Sequence, residues 1–553
     1  MNIRKLKYSI IILAGLLVLA SCSMQKYCPA PDSKLPPHIL RNESELDSLA
    51  LADMEWWEIY TDTILQDLIR KTLANNKDMQ AAIAKIRELR YSSRGALAEN
   101  FPTVDLWIGK RNEILNYYGQ AYDPTPEPGL KARIEWEFNL FGASVWQSKE
   151  ARDRYLSSIE GQRALQMSLI AEVATAYFEL LSLDQQLEIV RRTMETRQES
   201  REKAELRFSG GLTSEIPYRQ AIVEYASAAT LVPEIERQIA LKEHEISLLA
   251  GEFPSDVERS NTRMRSQFLI DIPVGLPSDL LLRRPDIRQA RTELHEAMAN
   301  AGFYFASRFP SLQINTNVGF EDHSDSWAHI FQSPYAYPIV NFLVPLLHWG
   351  RNQSRYKASV EQYLQQKAAY EKTVLTAFKE VNDALVVYNK VTQTSSLLVN
   401  LQEAASKYAE LAELQYLNGV IGYMDVLDAQ RQYFDAQLEL VQSVCHEYLA
   451  LVDLYKALGG GWNEELPEEA LTKEQLRKQE KMVKKHLPDS IQARPGLTKE
   501  ETLRETYREF LGKQATENTE KYIQQDLNPE QKKKADRKER RENRKFDPEK
   551  ENR

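Results

Sequence analysis

The chain has little cysteine: three in 553 residues, too few for a disulfide framework. A single bridge between Cys28 and Cys445 stays open on sequence alone. There is no apolar run of the ~18 residues that a spanning helix needs, and the mean hydropathy is −0.51, which excludes an ordinary helical membrane protein. A membrane β-barrel stays open, because its strands carry a much weaker signal per segment. Charge of one sign is also lacking. Lys and Arg number 71 against 80 Asp and Glu, a net −9, so nothing points to nucleic acid as a partner, and the basic residues form no stripe interleaved with aromatics. The eight histidines include no HExxH and no His/Cys cluster at zinc spacing, and no GxSxG, P-loop or Rossmann glycine pattern occurs. His295 and Glu296 read as surface or interface residues of a helix. The sequence therefore predicts no enzyme, no cofactor and no metal.

What the chain does have is a second copy of itself. Phe101-Pro102 recurs as Phe309-Pro310, Gly142 as Gly350, Val173 as Val381, Ala176 as Ala384, Gly211 as Gly419 and Ala221 as Ala429, each pair 208 residues apart (309 − 101, 350 − 142, 419 − 211). No gap interrupts this register, so one large structural unit is duplicated in tandem. The period lies far above the roughly 20 to 50 residues of solenoid repeats. The expected organisation is a signal segment over 1–21, a tether over 22–61, a first repeat over 62–250, a connection over 251–275, a second repeat over 276–462 and an extension over 463–553.

At the N-terminus, Arg4, Lys5 and Lys7 precede a short apolar stretch, residues 10–20, ending at Ser21-Cys22. This is the plan of a secretory signal, too short to stay as a stable span. Leu19-Ala20-Ser21-Cys22 resembles the bacterial lipobox, in which the cysteine becomes the lipid-modified first residue of the mature chain. Ser23 follows, where an aspartate would favour inner-membrane retention, so an acyl anchor at Cys22 on the outer membrane is expected. Several acyl chains on one residue hold far better than one. Pro29, Pro31, Pro36 and Pro37 then predict an extended tether.

Each repeat begins with helical periodicity, 63–100 and 277–308, and then changes period. Leu130, Ala132, Ile134, Trp136 and Phe138 alternate with Lys131, Arg133, Glu135 and Glu137, which predicts a strand with one apolar and one ionic face. Val104, Leu106 and Ile108 alternate similarly. In the second half Leu312, Ile314, Thr316, Val318 and Phe320 alternate with Gln313, Asn315, Asn317 and Gly319, and the run from Val340 to Leu346 keeps the apolar phase despite Pro338 and Pro345. Each half thus carries one hairpin, over 102–140 and 310–348. Four strands cannot close a barrel, and an open edge is not tolerated in lipid, so either they pack on a soluble core or several chains pool them. The ionic face favours pooling around water.

Proline is absent from a stretch running to about Phe208 after Gly142, and from the corresponding stretch from Gly350 to Tyr416. About 67 residues at ~1.5 Å each make rods of about 100 Å. Each ends at a glycine, followed by a shorter helix to Leu249 or Leu458, with Pro233 a candidate kink. These dimensions describe a tube or long bundle. The extension beyond Trp462 is densely charged with both signs nearly balanced, and reads as charged helix or disorder.

Five stretches, LPSDLLLRRPDIRQA at 276–290, WWEIYTD at 56–62, EFNLFG at 137–142, YLNGVIGYMDVLDAQ at 416–430 and ALGGGW at 457–462, resemble the TolC-like outer-membrane channel tunnels, and most closely their NodT-type branch of lipidated efflux components. The resemblance covers about residues 22 to 462. It implies a mixed, mostly helical α+β fold and a homotrimer whose chains give four strands each to a twelve-stranded outer-membrane barrel. The helices would form a long periplasmic α-barrel that meets a periplasmic adaptor and an inner-membrane pump of the RND type. The implied activity is passive conduction of drugs or small toxic solutes. Gly211, Leu212, Thr213, Gly419 and Val420 fall where the family's tip meets its adaptor. Asp425 and Asp428, three apart on one helix face, match the family's aspartates just inside the entrance, where three copies would form stacked carboxylate rings that favour cations. Ile421 replaces the polar or basic residue with which some relatives latch the tip, and Ile216-Pro217 stands where an aliphatic residue and an aspartate are usual, so the latch chemistry does not carry over. Two other readings compete: the tunnel of a type I protein-secretion system, and a lipid-anchored periplasmic coiled-coil scaffold without a pore.

Overall fold

The computed structural model describes residues 28, 55–111, 116–117, 120–121, 127–260, 264, 281, 283–322 and 327–462. The signal segment, Cys22, most of the tether, part of the 251–275 connection and the 463–553 extension lie outside the described residues.

A short helix α1 (Trp56–Ile59) leads into α2 (Thr63–Asn75) and α3 (Lys77–Ala98). The first hairpin follows as β1 (Thr103–Arg111) and β4 (Glu127–Phe138), with a two-residue ladder of β2 (Asn116–Tyr117) and β3 (Gln120–Ala121) between them. Next come α4 (Ala143–Ser209) and α5 (Glu215–Leu249). The second half comprises α6 (Pro285–Ala306), β5 (Ser311–Glu321), β6 (Pro334–Leu343), α7 (Arg351–Leu417) and α8 (Tyr423–Ala457). The repeat is visible to the residue: α3 and α6, α4 and α7, α5 and α8 begin and end 208 apart (285 − 77, 417 − 209, 457 − 249). Both rods are 67 residues long. α5 continues through Pro233.

Three boundaries differ from the sequence expectation: α6 begins at Pro285 with Arg284 as its cap, β6 spans Pro334–Leu343 and stops short of Leu346, and the first helical stretch is divided. Residues 63 to 100 are two helices, because the Asn76 side chain accepts from the backbone N–H groups of Asp78 (2.9 Å) and Met79 (3.1 Å) and caps α3. Its amide also donates to the Leu249 carbonyl (2.9 Å). A side chain that satisfies the first amides of a new helix offers the backbone an alternative to continuing the old one, and this one also ties the break to the end of α5.

All four helices that reverse at a glycine use the same stop. The N–H of Leu212 donates to the Arg207 carbonyl and that of Val420 to the Gln415 carbonyl, both at 2.9 Å, and Glu252 and Gly460 repeat the bond onto Ser247 and Tyr455. The preceding Gly211, Gly419, Gly251 and Gly459 have φ from 71° to 85°, the left-handed turn that this six-to-one closure requires.

The main core lies where α1 and α2 pack on the middle of α4 and on α8, joining Trp56, Tyr60, Leu65 and Ile69 to Val173, Tyr177, Phe178, Val452 and Tyr455. Asp62 caps α2 and also accepts from the Tyr177 hydroxyl (2.9 Å), which fixes that docking. α4 holds one window long and apolar enough to cross a membrane by length and composition, which the sequence reading did not count, but 61% of that window is buried inside the body. It is a core segment. Cys28 and Cys445 are both free and buried. Cys28 sits with Leu294, Ala301 and Tyr363, while Cys445 joins the main core and its Sγ donates to the Phe178 carbonyl (3.7 Å), so the bridge left open above is not made.

The four long strands form one antiparallel sheet in the order β1-β4-β5-β6. The two hairpins share a register: Thr103 opposes Glu135 in the first and Ser311 opposes Leu343 in the second, each member 208 on from its counterpart. The sheet has two open edges, β1 and β6.

Candidate functional site

Two regions hold the residues singled out by sequence: the sheet, and the far end of the helices. Directly opposed residues share a sheet face, so the registers assign every side chain. One face carries Val104, Leu106 and Ile108 from β1 beside Ile134, Ala132 and Leu130 from β4, then Thr316, Val318 and Phe320 from β5, then Pro338, Ala336 and Pro334 from β6. Thr316 is its one polar member in those rows. Leu106 is 70% exposed and Val104 66%. The opposite face carries Asp105, Arg111, Glu127, Lys131, Arg133, Glu135 and Glu137, continued by Gln313, Asn315 and Asn317. Arg111 pairs there with Glu127 at 3.3 Å and reaches Glu321 at 3.9 Å. Strands of 9, 12, 11 and 10 residues are the length that spans a bilayer when tilted.

At the far end, the turns between α4 and α5 and between α7 and α8 project Leu212 and Val420, which are 75% and 71% exposed. Each follows a left-handed glycine whose Cβ position is empty of neighbours. Thr213 is half-buried beside Leu212. Asp425 and Asp428 are both exposed on one face of the first turns of α8. Each also has a local partner: the Gly422 N–H donates to Asp425 (3.0 Å), closing the helix N-terminus, and the Gln432 amide donates to Asp428 (2.8 Å). Ile421 packs beside Ala412, Val426 and Ala429, which explains an apolar residue at that place.

What sequence reasoning missed is how the two hairpins are joined. The Arg207 guanidinium donates to the Tyr416 hydroxyl at 2.9 Å and lies 5.4 Å from the ring centre. Thirteen residues beyond Gly211, the buried Glu224 of α5 is held from both sides. Arg197 of α4 lies 3.2 Å from its carboxylate and donates to its carbonyl (3.0 Å), and Arg431 of α8 donates to the same carboxylate through Nε (2.9 Å). Burial pulls the Arg197 guanidinium below its ordinary pKa, whereas the hydrogen bond to Glu224 raises that of Arg431. No periodicity or motif marks these residues; they are ordinary charges until the hairpins come together. Glu296, by contrast, is the interface residue expected, accepting from Arg154 of α4 at 2.8 Å.

The outer membrane efflux protein family model matches the chain twice, over residues 68–252 and 276–460. The two matches are themselves 208 apart (276 − 68, 460 − 252). The chain is 31% identical over 488 residues to the solvent efflux pump outer membrane protein SrpC of Pseudomonas putida, which covers 83% of this chain and 99% of that one. It is 28% identical over 490 residues to the outer membrane protein OprJ of Pseudomonas aeruginosa, covering 83% and 97%. Among solved structures, the open state of the MtrE outer membrane channel of Neisseria gonorrhoeae superposes with a TM-score of 0.70 at 25% identity, covering 78% of this chain and 97% of that one.

Proposed function

As this chain belongs to the outer membrane efflux protein family, and is the outer-membrane exit duct of an efflux pump, we propose that three copies pool their sheets into a single closed barrel. The observation that carries this reading is the four-stranded sheet with one apolar face, one ionic face and two open edges. Unpaired strand edges are costly in lipid, and only a neighbour's strand removes them without adding another element. The apolar face then meets the acyl chains and the ionic face lines water. The helices continue the duct into the periplasm, where Gly211, Leu212, Thr213, Gly419 and Val420 would dock a periplasmic adaptor coupled to an inner-membrane pump of the RND type. Bare glycines beside exposed Leu212 and Val420 allow close approach of a partner's backbone. Conduction is passive and needs no cofactor, and a lipidated Cys22 would hold the mature chain to the membrane that its barrel crosses.

Three Asp425 and three Asp428 would form the entrance rings. At the closed tip, the Arg197–Glu224–Arg431 cluster and the Arg207–Tyr416 bond would take the place of the latch that Ile421 cannot supply. The test is single-channel conductance of the purified protein in planar bilayers, wild type beside Asp425→Ala with Asp428→Ala. A small cation-selective conductance that loses selectivity in the double variant supports both pore and ring. A protein that neither conducts nor trimerises would return the weight to a pore-free scaffold.

A further inference from the structure

The ionic face of the sheet has a feature that water conduction does not require. Trp107 lies against the wall rather than standing from it: a Cβ on either of the paired glycines Gly109 and Gly129 would come within 3.0 Å of its ring. The Lys131 ammonium sits 4.3 Å over the same ring, and among the described residues Lys131 makes no ion pair. Across the sheet, Lys131 opposes Gly319, and Gly319 opposes Tyr335. Tyr335 in turn packs on Tyr337, with ring centres 5.0 Å apart at 45°. One row of the wall therefore runs Trp107, Lys131, a bare glycine, Tyr335. Lys131 and Tyr335 stand two strand spacings apart, roughly 10 Å, with the ammonium turned toward Trp107, and Gly319 between them is bare because a Cβ there would run into the Leu130 carbonyl and the Lys131 backbone. Arg133, half exposed, stands one row below on the same strand and face and is paired with Glu135 at 3.8 Å.

We propose that this notch is a binding site for planar aromatic anions. The inference rests on the duct reading above and adds a ligand class to it. An ammonium held over a ring without an ion-pair partner attracts a carboxylate or sulfonate, while the tyrosine pair at the other end offers ring faces for stacking. A flat ring system of two or three fused or linked rings bridges them over Gly319. A cationic amine meets Lys131 with repulsion, and a non-planar anion loses the stacking. Three such notches would line the barrel, each a brief hold on the way out.

Equilibrium dialysis of the solubilised trimer against naphthalene-2-sulfonate reads the notch whether or not the assembly conducts, so failure of the duct reading and failure of the notch are separable. The wild type is expected to retain the sulfonate above both cyclohexanesulfonate and naphthylmethylammonium. Lys131→Gln and Tyr335→Leu should each lower retention roughly two- to fivefold, the scale of one lost cation or ring contact, and Lys131→Arg should restore it. Equal retention of the three probes, or full retention by both wall variants with trimers intact, overturns the assignment.

Discussion

At the residue scale, the burial of Cys445 makes a chemical statement that exposure alone would not. Its thiol lies in the main core with its Sγ directed at the Phe178 carbonyl, and desolvation pushes its pKa up to about 11. A raised thiol pKa removes the reactive thiolate: at pH 8 about one molecule in a thousand would carry it, against roughly a quarter for an unperturbed thiol. In a Cys28→Ser background, labelling of the folded protein by a maleimide should therefore be at least about two orders of magnitude slower than after denaturation. Labelling that proceeds alike in both states would mean that the α4–α8 packing opens readily. The same discipline applies to Asp425. Because its carboxylate accepts the Gly422 N–H at 3.0 Å, Asp425→Ala removes a helix cap along with a ring charge, at about 1 kcal/mol, so Asp425→Asn beside it separates selectivity from local fraying.

At the element scale, the hairpin junction is the place where a small change should alter behaviour. Glu224 satisfies a buried Arg197 and a half-exposed Arg431 at once, so its loss leaves a buried cation without its partner, at about 3–5 kcal/mol. Glu224→Gln keeps the shape and removes the charge. If the cluster holds α8 against α4 and α5, the variant conducts more in bilayers than the wild type, and Tyr416→Phe, which removes one hydrogen bond worth about 1 kcal/mol, adds to it. An unchanged conductance in both would leave the cluster a purely structural ion pair. This junction also marks the limit of what the sequence discloses. Both 67-residue rods, their glycine stops and the alternating strands are legible because each follows from a local rule: no proline, a left-handed stop, a period of two. The Asn76 break is a local signal too, but it competes with a continuous apolar periodicity and is easily read through. Pairings such as Arg197 with Glu224, or Arg207 with Tyr416, 209 residues apart, depend on which helices meet, and no spacing along one helix encodes that. The notch is intermediate. Every residue on its face could be read from alternation, but the row of Trp107, Lys131, Gly319 and Tyr335 appears only when the strand registers are known.

At the scale of the whole molecule, the duplication makes a prediction about a contact that a single chain cannot show. Within the chain, the first hairpin meets the second through β4 and β5, with Ile134 opposite Thr316. The two hairpins have the same internal register, 208 residues apart. If the barrel treats each hairpin as one repeating unit, β6 of one copy must meet β1 of the next as β4 meets β5. Carrying Ile134 forward by 208 gives Phe342, and carrying Thr316 back by 208 gives Ile108, so these two should stand opposite each other across the subunit junction, both on the apolar face. Directly opposed Cβ atoms lie ~4.5–5.5 Å apart and diagonal ones ~7–8 Å, a difference that disulfide geometry resolves. Phe342→Cys combined with Ile108→Cys should oxidise in the membrane to covalent dimers and trimers, whereas Phe342→Cys with Leu106→Cys, two residues out of step, should cross-link far more slowly. The reverse preference would mean that the junction between copies has slipped by one pair from the junction within a copy. A slip of two residues keeps the apolar face toward lipid, and so would pass unnoticed in composition and hydropathy alike. It would also shift Lys131 and Tyr335 of neighbouring copies relative to one another, so the spacing of the three notches around the duct wall depends on the register that this experiment reads.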